Sequence, residues 1–182
     1  LDEVSPTHPL VYAIQTCNYQ FIDLIIDFFG KDITNQTKQI NLGFQSLITK
    51  NQYSRNSSDS YSKIIQKFID TGNFDLHSLP VVESLLQSSI QQSDAEFLKI
   101  YLNTLPDKSV LKKTTDKSLL VSIIKSLNFS LLTIFINFIG DDMKDLIDQI
   151  NLGLQLVLDT FDHENGNKNQ SFVTEIFRTL ST

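Results

Sequence analysis

Tryptophan is absent from the 182-residue chain, cysteine and methionine occur once each, proline four times and glycine six times. With Cys17 alone, no intrachain disulfide can form, which suits a reducing compartment. So few glycines and prolines leave too little turn punctuation for an all-β sandwich or barrel. They favour helices joined by short connectors. Long apolar runs are also missing. The longest, Phe129 to Gly140, is broken by Ser130, Thr133 and Asn137 and falls short of the roughly 20 residues a membrane span requires. No basic segment followed by an apolar one opens the chain. Basic charge is in deficit: 15 Lys and Arg stand against 21 Asp and Glu, a formal net charge of −6. Phosphate backbones attract the opposite balance, so direct nucleic-acid binding is not expected, and a partner that is uncharged or basic fits better.

Catalytic and cofactor signatures are equally scarce. Neither GxxxxGK(S/T) nor GxGxxG occurs, and there is no GxSxG turn. His8, His77 and His163 share no metal-ligand spacing. Asp141 and Asp142 are adjacent, follow Gly140, and read as a surface turn and not as a converging carboxylate pair. Lys108, Lys112, Lys113 and Lys117 form the one basic cluster, in an expected connector, either solvated or facing an acidic partner. The expectation is therefore a protein that is not an enzyme and carries no cofactor or metal.

What the chain does contain is repetition. Residues 8–45 align without a gap on 118–155 at an offset of 110, with identities including Leu10/Leu120, Val11/Val121, Ile14/Ile124, Asn18/Asn128 and Gly30/Gly140. The run Gln39-Ile40-Asn41-Leu42-Gly43 returns as Gln149-Ile150-Asn151-Leu152-Gly153. A shorter period lies inside the long one. Ala13-Ile14, Ser46-Leu47, Ser89-Ile90, Ile123-Ile124 and Leu156-Val157 anchor five first helices. Their spacing is close to 33 residues once a polar insert at 51–60 is set aside. A second insert at 159–170 holds the equivalent place in the last unit, and both read as loops.

Each unit also has a second helix in which two apolar residues are followed four positions later by two more. Phe21-Ile22/Ile25-Ile26 and Leu131-Leu132/Phe135-Ile136 are examples. Positions i, i+1, i+4 and i+5 make one wide apolar stripe that must be buried against neighbours. Between the helices stand Cys17-Asn18, Ser93-Asp94 and Leu127-Asn128, where Asn or Asp can accept left-handed backbone and cap the next helix. Gly30 and Gly140 read as helix stops.

A helix pair every 33 residues resembles the ankyrin repeat. Pro9-Leu10-Val11-Tyr12-Ala13-Ile14 is similar to the family's Pro-Leu-His-x-Ala-Ala stretch, Phe21 to Ile26 to its second helix, and Gly30-Lys31-Asp32-Ile33 to its closing Gly-Ala-Asp-Val. The Thr-Pro-Leu-His signature is broken in every unit and the inter-helix glycine is missing. The connectors are therefore open between shortened β-hairpin fingers and loops. The expected fold is all-α: an α-solenoid of about five ankyrin-like helix-turn-helix repeats in one domain over 1–182, with units at about 5–38, 39–77, 78–113, 114–147 and 148–182. A HEAT-like array and a non-repeat helical bundle are the alternatives.

The resemblance implies a scaffold that binds another protein or peptide on a concave face made by the first helices. Carried over residue by residue, that face comprises Tyr12, Gln15 and Thr16, then Gln45 and Thr49, then Ser88, Gln91 and Gln92, with Ser122 and Lys125, and finally Gln155. Tyr12 is the expected hot spot. The alternative role is a regulatory or targeting domain of a larger enzyme or a secreted effector, and the start at Leu1 instead of Met is what a segment of a longer protein would show. An intracellular location, cytoplasmic or nuclear, is expected.

Overall fold

A computed structural model describes residues 5–51, 60–72, 74–112, 118–159, 171–174, 176 and 178. The chain forms two compact units, divided between Leu105 and Pro106. The first contains α1 (Pro9–Gln15), α2 (Tyr19–Phe29), α3 (Thr37–Asn51), α4 (Ser60–Ile69), α5 (Val82–Gln92) and α6 (Ala95–Asn103), with 3₁₀ segments at Gly30–Gln36 and Leu76–Ser78. The second contains a 3₁₀ segment at Lys108–Lys112, then α7 (Leu119–Lys125), α8 (Phe129–Ile139), a 3₁₀ segment at Gly140–Leu146 and α9 (Ile147–Asp159). Residues 171–174, 176 and 178 are also helical. Among the described residues there is no strand, so the all-α expectation holds. No helix there is long and apolar enough to cross a membrane.

The offset of 110 carries through to the secondary structure. α2 and α8 begin and end at equivalent residues, and so do the 3₁₀ segments that follow them. Local chemistry explains the match. The side chain of Asn18 accepts the backbone N–H of Phe21 at 3.0 Å, and that of Asn128 accepts the N–H of Leu131 at 3.1 Å. Asp94 does the same for Phe97 in α6. These are N-caps, which satisfy donors that the first helical turn leaves free. Gly30 and Gly140 close the two helices at φ of 52° and 61°, where a side chain would be strained.

The inter-helix turns divide their labour differently from the sequence expectation. Asn18, Asp94 and Asn128 cap, with negative φ. The positive φ falls instead on the residue before each: Cys17 at 51°, Ser93 at 63° and Leu127 at 53°. A capping residue must be extended to aim its oxygen at the next turn, so the chain reversal passes to its predecessor. That position is where glycine would fit without cost.

Two of the connectors are neither β-hairpin fingers nor loops. Gly30–Gln36 and Gly140–Leu146 are 3₁₀ turns that run straight into α3 and α9. Their apolar residues Ile33 and Leu146 point into the core and are almost fully buried.

In the first unit α1 packs on α3 and α3 on α5, while α2 packs on α4 and α4 on α6. The pairs α1/α2 and α5/α6 join the two rows. The helix anchors and stripes fill the space between: Ile14, Leu47, Ile22, Ile64, Ile65, Phe68, Phe97 and Leu98 are buried. Tyr61 is wholly buried, with its hydroxyl 3.3 Å from Ser88 Oγ, and the Asn41 amide oxygen accepts the Val81 N–H at 2.9 Å. In the second unit α7 packs on both α8 and α9, and Leu120, Val121, Ile123, Ile124, Leu131 and Phe135 form its centre.

The recurring Gln-Ile-Asn-Leu-Gly run now has a physical account. A Cβ placed on Gly43 would lie 2.9 Å from both Cβ and Cδ1 of Ile14. One placed on Gly153 would lie 2.9 Å from Cδ1 and 3.0 Å from Cβ of Ile124. The bare glycine backbone lets α1 approach α3, and α7 approach α9, closer than a side chain would permit. In the same run, Gln149 is fully buried and donates from Nε2 to the Leu111 carbonyl at 2.5 Å.

Candidate partner-binding face

α1 has seven residues and buries four of them, Leu10, Val11, Ala13 and Ile14. What remains outward is a narrow strip led by Tyr12, which is 56% exposed. Thr16 lies one turn on, exposed, with its hydroxyl donating to the Tyr12 carbonyl at 2.8 Å. Gln15 is half-buried. The start of α1 is held by His8, whose Nδ1 accepts the Leu10 N–H at 3.2 Å. Burial disfavours the imidazolium and lowers the His8 pKa.

On α3, Gln45 and Thr49 are exposed, and the Thr49 hydroxyl donates to the Gln45 carbonyl at 2.9 Å. Both threonines thus turn their hydroxyls onto their own helix. Lys38 and Leu42 share the strip at helical spacing, Lys38 exposed and Leu42 half-buried.

On α5 the outward strip sits differently from the one read in the sequence. Gln91 is exposed, but Ser88 and Gln92 are half-buried. Ser88 Oγ lies against Tyr61 of α4 and accepts from Gln92 Nε2 at 3.2 Å, so both residues face the second row of helices. Glu83, Ser84 and Gln87 are exposed instead. Their spacing from Gln91 was the available signal, since 84, 87 and 91 fall on one helical face.

The remaining candidates lie in the second unit. Lys125 is exposed and Ser122 half-buried on α7. Gln155 is exposed on α9, with Nε2 3.4 Å from Asp159 Oδ1. Two large apolar residues, Ile147 and Leu158, flank it at 54% and 49% exposure. They were missed because their type reads as core. The first unit therefore gathers Tyr12, Gln15, Thr16, Gln45, Thr49 and Gln91 on one row of stacked helices, and Ser122, Lys125 and Gln155 belong to the other unit.

Of the lysine cluster, Lys112 pairs with Asp145 at 2.8 Å. The Asp145 contact raises the Lys112 pKa, and the Lys112 hydrogen bond and charge lower that of Asp145. Lys113, Lys117, His163 and residues 179–182 lie outside the described residues, as do the polar inserts read at 51–60 and 159–170 except for Asn51, Ser60 and Asp159, which are helix ends. His77 holds Thr104 Oγ1 at 3.2 Å and stacks edge-on with Tyr101 at 5.0 Å, as a structural residue does. Among the described residues no three His, Cys, Asp or Glu side chains cluster in a way that could hold a metal ion.

Searches against protein-family models, curated proteins and solved structures found no match to the chain.

Proposed function

We propose that this chain is a protein-interaction module, an α-solenoid of ankyrin-like helix pairs without chemistry of its own, which holds a partner protein or peptide on the face of its first helices. The observation that carries this reading is the outward strip of α1, α3 and α5. Tyr12 stands 56% exposed on a row whose other outward residues are mostly neutral and polar, Gln45, Thr49, Gln87 and Gln91, with the charged Lys38 and Glu83 among them. A large aromatic set among amide and hydroxyl groups has the composition of a modest, hydrogen-bonded interface with one anchor. The chain's net negative charge favours a partner that is neutral or basic at the contact.

The test is selection from a displayed peptide library with the full chain and with a Tyr12→Ala, Gln45→Ala, Gln91→Ala variant. All three side chains are exposed, so the variant is expected to keep the helical circular dichroism and melting behaviour of the parent. Peptides enriched by the parent and bound at least tenfold more weakly by the folded variant support the reading. Peptides bound equally by both place the interface elsewhere and remove this face from consideration.

A further inference from the structure

The row of first helices differs from the row behind it in where its charge lies. α1 has no charged residue. α3 has two, Lys38 and Lys50, each one place from an end of the helix, and α5 has one, Glu83, in its first turn. The second row is built otherwise: Asp23 and Asp27 on α2, Lys63 and Lys67 on α4 and Lys99 on α6 stand within the length of their helices. Because α1 packs on α3 and α3 on α5, the uncharged middles of the three first helices join into one neutral band. Tyr12, 56% exposed, lies in it, with Gln45 exposed on α3 and Gln87 and Gln91 exposed on α5.

Peptides dock on proteins in a few modes, and each needs a different surface. Addition of a strand needs an open sheet edge, and no strand occurs among the described residues. An amphipathic helix needs an apolar groove, but Tyr12 is the one large apolar side chain that α1, α3 and α5 expose among the described residues. Phosphorylated and acidic motifs need clustered arginines, and these helices contain none. A polyproline II segment needs an aromatic ring for its proline faces and donors for its carbonyls, since it makes no internal hydrogen bonds and proline has no N–H. Tyr12 is such a ring, and the glutamine amides are such donors. The periods agree as well. Polyproline II repeats every three residues, an advance of about 9 Å, and packed helices lie about 8–10 Å apart. Residues i, i+3 and i+6 of one peptide face therefore fall on α1, α3 and α5 in turn. Proline is uncharged and matches a band that holds no ion to pair.

We infer, given that the face of the first helices is the binding surface, that its occupant is a proline-rich polyproline II segment lying across α1, α3 and α5, with one proline on the Tyr12 ring and its carbonyls accepting from Gln45, Gln87 and Gln91.

The probe is fluorescent, end-capped nonaproline, titrated against the full chain and followed by anisotropy. The expected dissociation constant is below about 1 mM, and at least tenfold higher for a glycine-serine peptide of equal length, which is not pre-organised. Tyr12→Ala should weaken nonaproline at least tenfold, and Gln45→Ala or the Gln87→Ala, Gln91→Ala double change at least threefold. Gln20→Ala, on the second row, should leave it unchanged. Hexaproline, which reaches only two helices, should bind more weakly and be insensitive to the α5 double change. Tyr12→Phe keeps the ring and should bind within threefold of the parent, which separates loss of the ring from loss of the fold; circular dichroism checks every variant. Nonaproline that fails to bind, or that binds Tyr12→Ala as tightly as the parent, overturns the inference. Library-selected peptides that need Tyr12 and Gln45 but contain no proline overturn it alone and leave the face as the binding surface. Selected peptides that need neither residue overturn both.

Discussion

Replacing Gly43 by Ala sets two known effects against each other, and the structure decides which wins. In an ordinary helix interior the change removes the entropic penalty of glycine and stabilises by about 1 kcal/mol. Here the new Cβ meets Ile14 Cβ and Cδ1 at 2.9 Å and Cγ2 at 3.1 Å, well inside the ~3.5–4.0 Å at which carbon atoms attract. A rotamer change at Ile14 can move Cδ1 but not Cβ, so α1 and α3 must separate. Overpacking of this kind costs about 1–3 kcal/mol. The other contacts across the α1/α3 seam loosen as well, since a gap of ~0.5–1 Å forfeits a quarter to a half of each. The net expectation is destabilisation by about 1–2 kcal/mol, or a fall in melting temperature of roughly 2–8 °C for a chain of this size. Thermal and urea unfolding measure the total, and amide exchange shows whether protection is lost in α1 and α3. Ile14→Ala should cost less in the Gly43→Ala background than in the parent, giving a coupling above about 0.5 kcal/mol. A Gly43→Ala chain more stable than the parent, with unchanged exchange in α1, would refute the close-approach argument.

Gly153→Ala should have the same sign, because Ile124 presents Cδ1 at 2.9 Å and Cβ at 3.0 Å; protection loss in α7 and α9 is the readout. Ser93→Gly should stabilise by about 0.5–1 kcal/mol in urea unfolding, since Ser93 is exposed at φ 63°, ψ 32° and glycine adopts that conformation without strain. Gln149→Met should destabilise by about 1–3 kcal/mol, because it leaves the Leu111 carbonyl without its buried donor. His8 has a lowered pKa in the folded chain, so the unfolded chain binds the proton first as pH falls. The stability from neutral His8 is complete above the unfolded value of about 6.5 and is lost as pH drops below it toward the folded value. His8→Asn replaces the capping Nδ1 with an oxygen acceptor that cannot titrate there, and should flatten the pH dependence of α1 protection between pH 7 and 5.

The fold was legible to the extent that packing imposes it on residue type. The i, i+1, i+4, i+5 stripes mark the second helices because those residues have no other place to go, and Ile22, Ile64, Phe97 and Leu131 are all buried. Asn18, Asp94 and Asn128 announced the caps by chemistry. The left-handed turn residue was not legible, since Cys17, Ser93 and Leu127 have nothing in common that favours it; they take it because their capping neighbours cannot. The 3₁₀ connectors were hidden for a similar reason: a turn that tightens to i, i+3 bonding leaves no distinct apolar period over seven residues. Gln39 and Gln149 pattern as surface residues and are buried.

The candidate face was less legible than the core, and the duplication shows why. Where the two copies agree, at Leu10/Leu120, Ile14/Ile124 and Gly43/Gly153, the residues touch a neighbouring helix, and the neighbour restricts them. Where they differ, at Tyr12/Ser122, Gln15/Lys125 and Leu24/Ile134, the first-copy side chains reach solvent wholly or in part. Repetition therefore reports the interior more fully than the exterior, where Phe28 and Asp32 recur as Phe138 and Asp142 but most outward residues do not. On a helix as short as α1, with four of seven residues committed inward, an error of one position in phase replaces most of the outward strip. On α5 such a shift puts Ser88 and Gln92 in place of the exposed Ser84 and Gln87. It also follows that the two copies share a scaffold but not a surface, so a partner that fits Tyr12 on α1 has no equivalent seat at Ser122 on α7.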